Sequence, residues 1–199
     1  SSITSFSFAE ESAIKYLGSN VFIECHDLHT VYLSNSIEYI GNNAFPHSDT
    51  LTKTKYDNAY YIGSIDNPYF YLFKATDELM NTGQFNTVDI HPNTKIIASY
   101  AFYQCDSLKD VVIPKDVNYI GEGAFYRCDS ITNITVELGN SRYSAPNNTA
   151  LIDKITGTLI CGFKNTIIPK GVVHIGDYAF GESKITSITI PDGVITIGK

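Results

Sequence analysis

The chain of 199 residues sets 14 Lys and Arg against 21 Asp and Glu. The formal charge of −7 argues against nucleic acid as a partner, because binding a phosphate backbone needs clustered cations. No apolar run approaches the roughly 20 residues that span a bilayer, and no basic-then-apolar leader is present, so no membrane insertion is expected of this segment. With 14 Tyr, 11 Phe and no Trp, the composition is that of a folded, β-rich chain.

The first recognisable phrase, Ile3/Phe6/Phe8, has the alternation of a short, half-buried strand. Next comes Leu17-Gly18-Ser19-Asn20-Val21-Phe22, then the strand phrase again at Leu28/Val31/Leu33, then Ile40-Gly41-Asn42-Asn43-Ala44-Phe45. Phe22 to Phe45 and Phe102 to Phe125 are equal steps of about 23 residues, a spacing typical of short structural repeats. The I-G-x-x-A-F phrase returns at Ile97-Ala98-Ser99-Tyr100-Ala101-Phe102, Ile120-Gly121-Glu122-Gly123-Ala124-Phe125 and Ile175-Gly176-Asp177-Tyr178-Ala179-Phe180. Strand phrases accompany it at Leu108/Val111/Ile113, Ile131/Ile134/Val136 and Ile185/Ile188/Ile190, with fainter copies at Leu51/Thr54/Tyr56, Val88/Ile90 and Thr166/Ile168. A repeat this short means a solenoid, because one unit cannot bury its apolar side until neighbours stack on it. Pro114, Pro169 and Pro191 follow strand phrases directly, where a missing N–H ends a ladder without breaking its centre. The I-G step suits a tight turn, and A-F-x-x-C leaves room for a turn or two of helix. Each coil therefore reads as strand, corner, short helical turn, corner, and the strand phrases sum to eight rungs of one parallel sheet.

Two intervals break the array. The steps from Phe45 to Phe102 and from Phe125 to Phe180 are each more than twice the plain spacing, so plain coils alternate with coils carrying an insertion longer than a coil itself. Phe22 to Phe102 and Phe102 to Phe180 are then nearly equal, a higher period of roughly 80 residues that points to a duplicated two-coil module. Both insertions, about 57–86 and 138–164, have the pattern of a β-hairpin. In the first, Tyr60-Tyr61-Ile62 and Tyr69-Phe70-Tyr71-Leu72-Phe73 flank a turn containing Asp66-Asn67-Pro68. In the second, Ala150-Leu151-Ile152 and Thr158-Leu159-Ile160-Cys161 flank Lys154-Ile155-Thr156-Gly157. Such hairpins are expected to protrude from, or cap, one side of the solenoid.

The stretch from Ser107 to Cys128, SLKDVVIPKDVNYIGEGAFYRC, closely resembles the BspA-like leucine-rich repeats of bacterial and protozoan surface proteins, and the resemblance covers most of the chain. It implies an α/β, right-handed leucine-rich-repeat solenoid, mostly β by content. A parallel sheet would form the concave face, with short helical turns opposite and the two hairpins inserted. Residues 1–199 would form a single solenoid. Neither the first residue, which is not Met, nor the stop at Ile197-Gly198-Lys199 marks a natural end, which points to a piece of a longer protein. Members of the family are described as adhesins and binders of host matrix proteins or other cells, which implies an extracellular or cell-surface location.

The chemistry-bearing residues do not assemble a reaction centre. Cys25, Cys105 and Cys128 share one repeat position with Ser48 and Ser183, as a small packing site does, and free thiols are expected although Cys105 and Cys128 fall on neighbouring rungs. Cys161 lies in an insertion without a named partner. The five His, at 26, 29, 47, 91 and 174, occupy different repeat positions and form no ligand pair, and no C-x-x-C exists, so neither metal nor cofactor is expected. No G-x-S-x-G elbow or paired-carboxylate signature appears, which leaves a hydrolytic enzyme as a remote alternative. Asp and Asn pairs such as Asp57-Asn58 match turns rather than calcium loops. Asn133-Ile134-Thr135 and Asn147-Asn148-Thr149 are formal glycosylation sequons that matter only in a eukaryote.

Residues alternating with the buried strand positions would line the exposed sheet face in two columns. Tyr32, Lys53, Lys55, Asp89 and Asp110 are the distinctive side chains among weakly polar Ser, Thr, Asn and Val. The tyrosines of the first insertion, Tyr60, Tyr69 and Tyr71, either pack the hairpin on the solenoid or meet a ligand, since aromatic rings serve both ends. The expectation is a module that binds a host or cell-surface protein or glycan through this face and the hairpins. The alternative is an inert spacer presenting another domain. The last coil, uncapped, leaves room for end-to-end self-association.

Overall fold

The computed structural model describes residues 3–9, 11–46, 49–81 and 83–199. The first two coils contribute β1 (Ser5–Ser7), β2 (Tyr16–Leu17), β3 (Thr30–Tyr32) and β4 (Tyr39–Ile40). β5 (Thr54–Tyr56), β6 (Ala59–Ile62), β7 (Tyr71–Ala75) and α1 (Asp77–Asn81) follow. β8 (Thr87–Val88), β9 (Ile96–Ile97), β10 (Asp110–Ile113), β11 (Tyr119–Ile120) and β12 (Asn133–Val136) form the next coils. Then come β13 (Tyr143–Ser144), a 3-10 turn at Pro146–Asn148, β14 (Ala150–Asp153), β15 (Thr158–Gly162), β16 (His174–Ile175) and β17 (Thr196–Ile197).

A complete coil holds two short strands, and so the molecule has two parallel ladders. The first is built from the alternating apolar phrase: β1 pairs β3, and β8, β10 and β12 pair in register with Asp110 beside both Thr87 and Asn133. The second is built from the two residues before each I-G glycine, with Tyr16 beside Tyr39 and Ile96 beside Tyr119. Its glycine follows immediately, and the reason is steric. A Cβ on Gly121 would lie 2.3 Å from the Ser99 nitrogen, and on Gly41 2.4 Å from the Ser19 nitrogen.

The A-F-x-x-C stretch turns without becoming a helix. The residue two before the Phe has positive φ in Asn20, Asn43, Tyr100, Gly123 and Tyr178, and the residue two after it in Glu24, Gln104, Arg127 and Glu182. Left-handed residues recurring on this spacing prevent a continuous helix. They leave backbone groups to bond between coils, as Phe22 N does to the Ala44 carbonyl at 3.2 Å and Phe102 N to that of Ala124 at 2.8 Å. Inside this corner the rings stack, Phe22 on Phe45 and Phe102 on Phe125, each at 5.3 Å. All four Phe are buried, within one apolar core that runs from Leu17 to Phe163. A smaller cluster around Leu159, Val172 and Ile175 supports the last coils.

The insertions do not protrude; they supply rungs. β6 and β7 pair antiparallel, and β7 then joins the second ladder parallel to β9, so that Ala98 N donates to the Leu72 carbonyl at 2.9 Å as Gly121 N does to that of Ile97. The second insertion repeats the device, with β14 antiparallel to β15 and Gly176 N donating to the Leu159 carbonyl at 2.9 Å. Leu72 and Leu159 are both fully buried. A protruding hairpin would have left these apolar runs in water.

The expected eight-rung sheet is accordingly interrupted. β5 turns away from the first ladder to pair with β6, and Leu33 N bonds to the Gly63 carbonyl instead of to a third parallel strand. Beyond β12, residues 165–168 and 185–190 are not strands. On the opposite side the chain closes up. Asn42 Nδ2 donates to Glu122 Oε2 at 2.9 Å, Ser99 Oγ bonds to Asn42 Oδ1, and the rings of Tyr39 and Tyr119 meet at 4.9 Å. The second coil thus touches the fourth and fifth, past the first hairpin, and Ile96 and Ile97 are sealed completely beneath.

Candidate ligand-binding surface

The expected site residues separate into groups according to the strands that carry them. Tyr32, in β3, is 45% exposed on the first ladder beside Ser7. Asp110, exposed in β10, accepts a hydrogen bond from Asn133 Nδ2 at 3.2 Å, a tie between neighbouring rungs. Strand alternation puts Lys55 on one side of the first insertion, opposite Tyr60, and Lys55 Nζ lies 3.6 Å from Glu78 of α1. Lys53 Nζ stands 5.9 Å from the centre of the Tyr60 ring. Burial, with Lys74 second, draws the Lys53 ammonium below its usual range, while Asp49 opposes.

Asp89 belongs to a different cluster, across the β5 strand. Its carboxylate accepts from the Tyr56 hydroxyl at 2.7 Å, and its backbone N–H donates to Asp57 at 2.8 Å. Tyr69 stacks on the His91 imidazole at 3.6 Å, and Tyr56 meets the same imidazole edge-on at 4.7 Å. His91 Nδ1 accepts from Asn93 N at 3.1 Å, which fixes the tautomer with its proton on Nε2. The backbone N–H of His91 donates to the buried Tyr61 hydroxyl at 3.2 Å. Burial raises that phenol to about 12, so it stays protonated, and burial lowers His91, with Asp89 opposing. The result is a half-buried, neutral aromatic platform with a carboxylate at its rim.

Tyr71 takes no part in this surface. It is 4% exposed and serves as a rung of the second ladder beside Ile96, so of the two roles expected for it packing is the one it fills. Two members of the platform, Tyr56 and His91, were not among the expected site residues. Tyr56 sits at an apolar strand position, and a His without a second His carries no metal-site spacing. The turn Asp57-Asn58 ties β5 to the β8 segment, since Asn58 Nδ2 donates to the Thr87 carbonyl and Asp57 accepts from the Asp89 N–H.

The cysteines are packed into the coils, Cys105, Cys128 and Cys161 buried and Cys25 half-buried. Cys25, Cys105, Cys128 and Cys161 are free thiols, and burial raises the Cys128 and Cys161 thiols while Cys128 Sγ donates to the Phe102 carbonyl at 2.9 Å. Ser48 and His47 lie outside the described residues. Among the described residues no group of three His, Cys, Asp or Glu side chains is placed to share a metal ion, and no helix is long and apolar enough to cross a membrane.

The family model for the BspA type leucine rich repeat region matches in six copies, over residues 1–77, 75–149 and 159–199. The chain belongs to that family. Among solved structures, this BspA-type chain is similar to a leucine-rich repeat protein from Eubacterium ventriosum, at 26% identity and a TM-score of 0.54 over 98% of this chain and 50% of that one. A leucine rich cell surface protein from Faecalibacterium prausnitzii aligns at 20% identity and a TM-score of 0.47, over 100% of this chain and 66% of that one. The BspA-type segment therefore spans half to two thirds of the length of these structures. No curated protein sequence matches it.

Proposed function

We propose that this BspA-type segment is an extracellular adhesion module that binds a protein partner where the first ladder meets the first hairpin. The observation that carries this reading is the platform of Tyr56, Tyr69 and His91, rimmed by Asp89, which follows β8 of the first ladder. Pre-arranged aromatic rings beside a carboxylate provide the large contact area at low entropic cost on which protein hot spots depend. The rings hold one another and the backbone holds His91, so little side-chain entropy remains to be lost on binding. The alternatives are a glycan ligand on the same surface and a spacer in which the surface is inert.

The test is binding of the purified chain to cells, matrix proteins and glycans, compared with a variant carrying alanine at Tyr32, Tyr56, Tyr69 and Asp89. Loss of protein binding in a variant that melts as the parent does supports the reading. Unchanged binding removes the ladder surface from it, and an absence of any partner favours the spacer.

A further inference from the structure

On the turn side, away from both ladder faces, four tyrosines form a closed ring of contacts. Tyr100 meets Tyr103 at 6.3 Å and Tyr178 at 5.9 Å, and Tyr126 meets Tyr103 at 5.7 Å and Tyr178 at 5.1 Å. All four are half-buried to exposed, with Tyr100 at 37%. We infer that this patch is a second binding site and that it takes a neutral oligosaccharide.

The repeat itself does not require tyrosine here. The positions of Tyr103 and Tyr126 hold Ile23, Pro46 and Gly181 in other coils, and those of Tyr100 and Tyr178 hold Asn20, Asn43 and Gly123. Tyr100 and Tyr178 both adopt φ of 58°, a region that suits Asn or Gly and is costly for an aromatic residue. The turn itself is met by Asn or Gly in the other coils, so the tyrosines at these two positions are not required by the backbone. Two glycines make the arrangement possible. A Cβ on Gly123 would come within 2.6 Å of the Tyr100 ring, and one on Gly181 within 2.5 Å of the Tyr126 ring.

The chemistry selects the ligand class. Every ring carries a hydroxyl and all four are partly exposed, so the patch offers the uncovered aromatic surface to sugar C–H groups and the phenols to sugar hydroxyls. Its charged border is mixed, since Arg127, whose guanidinium is held charged first by its hydrogen bond to Tyr103, also lies near Glu182, while Glu122 is engaged by Asn42. A border of both signs gives no preference for an acidic sugar.

The chain should be applied to an array of neutral glucan, mannan, galactan and N-acetylglucosamine oligosaccharides beside sialylated and sulfated ones. Binding to a neutral member is expected, weakened about tenfold or more by the pair Tyr103→Ala and Tyr126→Ala and by the pair Tyr100→Asn and Tyr178→Asn. A second measurement needs no variant. The bound neutral oligosaccharide should protect Tyr100, Tyr103, Tyr126 and Tyr178 from nitration and leave the exposed Tyr16 and Tyr32 reactive. No sugar binding up to about 5 mM, at the weak end of the affinity scale, overturns the inference. So does preference for anionic sugars, or protection of Tyr32 and Tyr69 instead. The site does not depend on the proposed ladder surface, since alanine at Tyr32, Tyr56, Tyr69 and Asp89 should leave sugar binding intact.

Discussion

Two glycines at the same repeat position should respond oppositely to alanine. At Gly18 an added Cβ finds only Val21 Cγ2, at 3.6 Å, an ordinary contact, whereas at Gly121 it would meet the Ser99 nitrogen at 2.3 Å and the Ser99 Cα at 2.7 Å. The Gly121 neighbour is backbone, held by the second ladder, and cannot swing aside. Overpacking of this kind costs about 1–3 kcal/mol, and a clash with backbone belongs at or above the upper end. Neither glycine has positive φ, so Gly18→Ala should be neutral or stabilise by about 0.4–1 kcal/mol through loss of unfolded-chain entropy. The two variants should therefore differ by about 3–4 kcal/mol, a large share of the roughly 5–15 kcal/mol typical of a folded domain. Urea denaturation followed by far-ultraviolet circular dichroism measures it. Equal midpoints for Gly18→Ala and Gly121→Ala would refute the stacking of the coils through this step.

Phe102, fully buried and stacked on Phe125, should cost about 3–5 kcal/mol on truncation to alanine and broaden the melting transition, because coils are held chiefly by their neighbours; an unchanged melt would place it outside the core. Asp153 is 2% exposed, binds Arg142 through 2.9 Å contacts and accepts from the N–H groups of Ile155 and Thr156, so Asp153→Ala should cost about 3 kcal/mol, the lower end for a broken buried pair because Arg142 is partly solvated. His91, lowered by burial, should give full stability above its unfolded pKa of about 6.5 and lose it as the pH falls from there through the lower folded value. His91→Phe keeps the stack, and its Tm should vary less than the parent's between pH 7.5 and 5; an identical pH profile would exclude His91 as the source.

The solenoid was legible because its signals are local and repeated: a phenylalanine at one fixed place in each coil, a glycine where coils touch, alternation in the strand phrase. The role of the hairpins was not. β7 and β15 enter the second ladder without the I-G-x-x-A-F phrase, so periodicity passes over them, although Tyr71-Leu72 does echo the pairs Tyr39-Ile40 and Tyr119-Ile120. The short helical turns were a reasonable expectation from length alone. Left-handed φ at Glu24, Gln104 and Arg127, residues with no special preference for it, is imposed by stacking and leaves no trace in composition. Both aromatic clusters were hidden for a related reason. Tyr56, Tyr69 and His91 are brought together by a hairpin, and Tyr100 and Tyr178 lie far apart in the sequence yet their rings meet at 5.9 Å.

Amide hydrogen exchange of the chain with and without a bound protein partner tests the proposed function most directly. Slowed exchange at residues 30–33, 53–63 and 87–93, with the turn side unchanged, is the result expected of a ligand seated where the first ladder meets the first hairpin. Protection confined to residues 100–104 and 178–184, or spread evenly over all coils, would contradict it.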